Sequence, residues 1–261
     1  MTLANRATLE KEIKDDVTSK QLTIHCPPIL GGGPKILLAF TGLAEMPDGT
    51  PTVQWIRETI RGEQRFIMPM IEHLRDRLTR DVGKSRLWRV ELTLIGGVLE
   101  ADGRRGYLQL SNVIDPITRQ TGREFRYLLN EMPEPVFMAG GGGQRYIARR
   151  DAKLVVQQSK IRPAKWEDHM GLLAAVNRRT AARVPDKSVS PWCHVTSVGV
   201  DGEATVGRSF HGPGEPAPVM IDTVVSGMDF TEVLRLMRTP GVPWSKEEEA
   251  QALRQQGEGR P

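Results

Sequence analysis

The residues of this chain that could do chemistry are few, and several come in pairs. His25-Cys26 and Cys193-His194 each set an imidazole beside a thiol, the two parts of a cysteine nucleophile and its base. Both pairs lie in strand-like stretches, where adjacent residues point to opposite faces, so neither pair can close on itself. Buried structural thiols are the expectation for both. Gly83-Lys84-Ser85 mimics the end of a phosphate-binding loop, which needs a glycine five residues before Gly83 and a strand ahead of it. Leu78 stands at that place, inside a helical pattern. Four glycines at 140–143 separate a strand-like from a helical segment, where open amides could hold an anion. Gln144 and Tyr146 break the G-x-G-x-x-G fingerprint there, which leaves a tight-packing turn as the plainer reading. His73, His169 and His211 show no metal-ligand spacing, and neither metal nor cofactor is expected.

Alternation and β-branched residues predict strands at 21–25 and 35–41, joined by a turn rich in Pro and Gly. Helices follow at 52–61, with Val53, Ile56 and Ile60 on one face, and at 67–82, with Ile67, Ile71, Leu74 and Leu78 on another. They read as a pair covering one side of a sheet. An antiparallel meander is predicted near 87–99, 106–113 and 124–129, then a short apolar strand at 135–139. A second helix pair, 145–159 and 165–183, precedes a hairpin of 191–200 with 203–210 across Asp201-Gly202. Helices in pairs, rather than one after each strand, argue for two antiparallel sheets packed together with helices outside both.

Composition sets the limits. The 261 residues carry 36 Lys+Arg against 32 Asp+Glu, a net charge of +4 spread along the chain. That excess, and Arg104-Arg105 and Arg149-Arg150 without interleaved aromatics, give no reason to expect nucleic acid. No apolar run reaches the roughly 20 residues of a membrane span, and the first residues lack a signal peptide's apolar core. Two cysteines far apart fit a reducing cytoplasm.

Three segments gain meaning from their order. Arg6-Ala7-Thr8 is followed by Thr18-Ser19-Lys20-Gln21-Leu22, and then by Leu38-Ala39-Phe40-Thr41-Gly42-Leu43-Ala44. Later come the glycines 140–143 before a helix pair, Asp186-Lys187-Ser188-Val189-Ser190, and the strand 194–200 with its Asp201-Gly202 turn. This arrangement, over 5–210, resembles the proteasome β subunits and their bacterial relatives in the N-terminal nucleophile (Ntn) hydrolase superfamily. The resemblance rests on order and spacing rather than on one specific motif.

The resemblance implies an α/β fold, a four-layer αββα sandwich of two antiparallel sheets flanked by helix pairs. It would occupy 1–212, followed by a Pro/Gly-rich extension at 213–261 with a short helix near 230–237 and a flexible end. It also implies a threonine-type peptidase or amidohydrolase, in which the first residue of the mature chain attacks an amide carbonyl and its own amine acts as base. Lys20 matches the lysine that acidifies the attacking hydroxyl, and Gly42 the glycine whose amide stabilises the oxyanion. Asp186 with Ser188 or Ser190 matches the pair that orients the amine. A peptide or amide substrate, a homo-oligomer and an ATPase partner are further implications.

One feature departs from the family. Its nucleophile begins a complete strand ahead of the Arg-x-Thr segment, after an acidic residue, whereas here Asn5 precedes Arg6 and Met1 is five residues from Arg6. At about 3.3 Å per residue, Thr2 to Arg6 cannot run a strand, a turn and a return, and Thr2 is not expected to be the nucleophile. Three readings stay open: a natural start further upstream with an active enzyme, a non-catalytic assembly subunit, or an α/β domain binding a small molecule at the 140–143 turn.

Overall fold

The structure, a computed structural model, describes residues 20–27, 33–115, 117–132, 134, 137, 144–160, 166–185, 193–197, 206–210, 217–219 and 222–230. Within them the chain forms β1 (Gln21–His25), β2 (Lys35–Gly42), α1 (Thr52–Ile60), α2 (Ile67–Asp81), a 3-10 turn (Arg86–Arg89), β3 (Leu92–Leu99), β4 (Arg105–Asp115) and β5 (Gln120–Glu131). A second 3-10 turn (Gln144–Tyr146) leads to α3 (Arg149–Ser159) and α4 (Trp166–Arg183), then β6 (Cys193–Ser197), β7 (Val206–Phe210), β8 (Ala217–Val219), β9 (Asp222–Val225) and β10 (Met228–Asp229). The architecture is mixed α/β, with one seven-stranded sheet in the order β10-β9-β1-β2-β3-β4-β5 and one three-stranded sheet, β6-β7-β8.

The expectation of two antiparallel sheets meets a more complex arrangement. The sheets are unequal, and β1 runs parallel to β9, from Leu22 opposite Asp222 to His25 opposite Val225. A parallel pair needs a long crossover, and β9 lies at the far end of the chain from β1. Residue periodicity reports that a strand exists, not which sheet edge it joins. As a result β8, β9 and β10, inside the stretch expected to be an extension, supply strands to both sheets. The stretch 87–99 is also not one strand: it opens with the 3-10 turn and enters the sheet at Leu92.

The helix pair α1 and α2 covers one face of the large sheet, as its apolar stripes require. Ile56, Ile60, Ile71, Leu74 and Leu78 are buried against Leu22, Ile24, Ile36, Leu38, Leu92, Leu94, Leu108 and Leu110. On each strand these are alternate residues, which is what a sheet with one core face demands. Burial of one such side chain contributes about 1.5–3 kcal/mol. The second face is covered near β1, where Thr23 is fully buried, and open at β5, where Leu128 is 47% exposed.

A smaller core joins α4 to the three-stranded sheet, with Met170 and Ala174 packed on Val195. The buried carboxylate of Asp151 in α3 accepts hydrogen bonds from Arg179 and Arg183 of α4, each at 3.0 Å, and so clamps that helix pair. A side-chain hydrogen bond from Thr196 to Gln21 links β6 to β1. Among the described residues no helix is long and apolar enough to cross a membrane.

Candidate functional site

Two of the four residues singled out by the family resemblance lie within the described structure, and the sheet register puts them at the same end. Lys20 immediately precedes β1, is exposed, and its carbonyl accepts a hydrogen bond from the Phe40 N–H at 3.1 Å. Gly42 closes β2 two residues beyond Phe40. Strand spacing places the Lys20 and Gly42 Cα atoms about 9 Å apart. Asp186 and Ser188, with the alternative Ser190, lie outside the described residues, as do Arg6 and the glycines 140–143.

Gly42 cannot be replaced where it stands. Its φ is +103°, a conformation side-chain-bearing residues rarely adopt, and a Cβ there would come within 1.8 Å of the Glu91 carbonyl oxygen. The corner is held on both sides. Leu43 N–H donates to the Glu91 carbonyl at 3.1 Å, Thr52 Oγ1 donates to the Leu43 carbonyl at 2.8 Å, and Thr52 N–H donates to the Ala44 carbonyl at 2.9 Å. The start of α1 therefore clamps the chain that leaves Gly42. Strand alternation fixes the direction of the glycine's own amide. Phe40 N–H turns to β1 and Leu43 N–H to β3, so the Gly42 N–H between them falls on the β1 side.

Beside this corner lies a row of polar groups that reading the sequence did not reveal. Thr93 Oγ1 and Ser111 Oγ share a hydrogen bond of 2.7 Å between β3 and β4. Thr93 Oγ1 also donates to Glu91 Oε1 at 3.2 Å, and Glu91 is ion-paired with Arg119. Thr41 joins the row by register, opposite Thr93, which is in turn opposite Ser111. Arg119 itself sits at φ 56°, a strained conformation for a side-chain-bearing residue. Such a row becomes legible only when the strand register is known, because its members are spread over three strands and the segments beside them and share no motif. Thr93 and Ser111 are buried and bonded to each other, so the row ties β3 to β4 and anchors the Glu91–Arg119 pair beside the Gly42 corner.

The opposite end of β1 and β2 is chemically quiet. Burial, with Glu100 adding to it, pushes the Cys26 thiol up to about 12. Burial and then the Lys35 charge hold the His25 imidazole below its ordinary value. Cys193 is also a free thiol, pushed up to about 11 by burial against a smaller opposing effect of Arg178. At neutral pH both cysteines are protonated and poorly nucleophilic. Two further histidines serve backbone carbonyls: His73 Nε2 lies 3.1 Å from that of Thr59 and His169 Nε2 3.0 Å from that of Gln158. His194's side chain and His211 are outside the description. No group of three or more metal-ligating side chains converges among the described residues.

Gly83-Lys84-Ser85 follows α2 rather than a strand, as the sequence reading argues. Gly83 has a packing reason instead, since a Cβ there would lie 2.0 Å from the Arg123 carbonyl oxygen. The chain matches no protein-family model, no curated protein and no solved structure.

Proposed function

We propose that this chain is an amide-bond hydrolase of the N-terminal nucleophile type, related to proteasome β subunits, for which the Lys20–Gly42 end of the large sheet is the reaction site. The observation that carries the reading is the strained, clamped glycine whose amide is turned to the β1 side, at a strand end shared with a lysine. The element order supports it: two strands, a helix pair, a meander, a second helix pair and closing strands. The finer αββα layering belongs to the proposal. In it α1 and α2 back the large sheet, while α3 and α4 back the small one.

In this chemistry the attacking hydroxyl or thiol belongs to the first residue of the mature protein. Its α-amine, with an ordinary pKa of about 7.7–8.0, takes the proton. Lys20 supplies positive charge that favours the ionised nucleophile. As the carbonyl becomes tetrahedral, the Gly42 N–H donates to its oxygen, an interaction worth about 3–4 kcal/mol to the transition state in comparable sites. The proton then passes to the leaving amine, and water releases the acyl group by the reverse sequence. Asp186 and Ser188 are the groups proposed to orient the amine, and peptides or small amides are the substrate class.

The test is turnover of a panel of fluorogenic peptide amides by protein made from its native gene, wild type against Lys20→Ala. Loss of turnover with an unchanged melting temperature is expected. Equal turnover by the two proteins would remove Lys20 from the site and this reading with it.

A further inference from the structure

Residues 84–89, Lys-Ser-Arg-Leu-Trp-Arg, place three cations and an indole in one short turn after α2. That turn is held firmly from within. Ser85 Oγ accepts from the Leu87 N–H at 3.0 Å and donates to the Val82 carbonyl at 2.8 Å. Asn112, almost wholly buried, donates from Nδ2 to the carbonyls of Trp88 and Val90, each at 3.0 Å. Gly83 lets the β5 backbone approach, which brings a fourth cation, Arg123, to the same place. The guanidinium groups of Arg89 and Arg123 each lie 5.3 Å from the Trp88 ring centre. Together with Lys84, Ser85 and Arg86 these residues line an open cavity of about 420 Å³.

Charge accounting sets this cavity apart. Arg57, Arg75, Arg104, Arg119 and Arg179 each sit against a carboxylate. Lys84, Arg86, Arg89 and Arg123 have no carboxylate partner among the described residues, and no acid lines the cavity. Other exposed arginines, Arg105 and Arg126 among them, also lack one, but they do not line this cavity. Four cations around one small space repel one another unless an anion joins them. Two guanidiniums already stacked against an indole lose little freedom when they bind it.

We infer that this cavity binds a small ligand through a compact polyphosphate group, with Arg89 and Arg123 as paired forks and Lys84 and Arg86 as further charges. A di- or triphosphate concentrates three or four negative charges in a volume of this size. A peptide, whose residues advance about 3.3 Å each, would bring only one or two carboxylates into it. Guanidinium forks also match the geometry of phosphate oxygens. This site is distinct from the Lys20–Gly42 corner and does not depend on the function proposed for it.

The test is titration of the full chain with inorganic tripolyphosphate and, separately, with ATP at low salt, read by calorimetry and by tryptophan fluorescence. Saturable binding is expected, weakened about tenfold or more by Arg89→Ala or by Arg123→Ala, since each removes charge-assisted hydrogen bonds. Arg126→Ala, on the same strand but outside the cavity, should leave it unchanged. Equal affinity for the two probes would assign recognition to phosphate alone. Tighter ATP binding, lost in Trp88→Leu, would assign it to a nucleoside-borne phosphate. No saturation at millimolar probe, equal weakening by Arg126→Ala, or tighter binding of a polyglutamate peptide would each overturn the inference.

Discussion

The two ends of the β1–β2 ladder each hold a lysine and have opposite character. At one end His25, Cys26 and Lys35 are drawn into or against the core, and burial silences them: the thiol stays protonated and the imidazole neutral. At the other, Lys20 is exposed, Gly42 is bent into a conformation only glycine accepts readily, and a row of hydroxyls runs across β3 and β4. Reactive residue types are therefore a poor guide on their own. What separates the two ends is whether solvent can reach the groups and whether the backbone is strained to present them.

The comparison is broken most readily at Gly42. Gly42→Ala must place a Cβ against the Glu91 carbonyl at positive φ, and a loss of about 2–5 kcal/mol of stability is expected from strain plus overpacking. Denaturant unfolding checks this, and a loss below about 1 kcal/mol would mean the corner relaxes freely. At the quiet end the expected result is chemical. Neither Cys26 nor Cys193 should react with a disulfide reagent at pH 8 in the native protein, and both should react once it is unfolded. Fast native labelling would contradict the burial argument.

A smaller effect concerns pH. His25 has a lower pKa folded than unfolded, so the unfolded chain binds the proton more readily. Its contribution is present above the unfolded value of about 6.5 and is lost as pH falls through the folded value. Wild type should lose stability relative to His25→Gln as pH drops below about 6.5, measured by melting temperature against pH. A constant difference would place His25 in solvent. The smallest stability effect belongs to Lys20→Ala: the side chain is exposed, and a change within about 0.5 kcal/mol is expected. Its effect on turnover, under the proposed function, is the large one.

Much of the fold was legible in the residues. The stripe Val53, Ile56 and Ile60 and the stripe Ile67, Ile71, Leu74 and Leu78 announced α1 and α2 and the face they bury. β1, β2, β4 and β5 followed from alternation and turn residues to within a few positions. What stayed hidden was long-range pairing. Nothing local to Asp222–Val225 says that it lies parallel to β1, because periodicity encodes a face and not a neighbour. The candidate site divides in the same way. Lys20 and Gly42 could be singled out by type and order, whereas Thr93, Ser111, Glu91 and Arg119 come together only through the register of β3 with β4 and the hairpin that follows. The arginines around Trp88 were hidden for a related reason, since Arg123 reaches that turn only because Gly83 lets β5 approach.

The central claim is that the Lys20–Gly42 end serves an amino-terminal nucleophile. The most direct measurement combines mass spectrometry of the protein made from its native gene with labelling by an electrophilic peptide that acylates amino-terminal hydroxyls or thiols. The account predicts a threonine, serine or cysteine at the mature amino end, labelled in wild type and unlabelled in Lys20→Ala. An amino end without such a residue, or labelling that ignores the loss of Lys20, would contradict it.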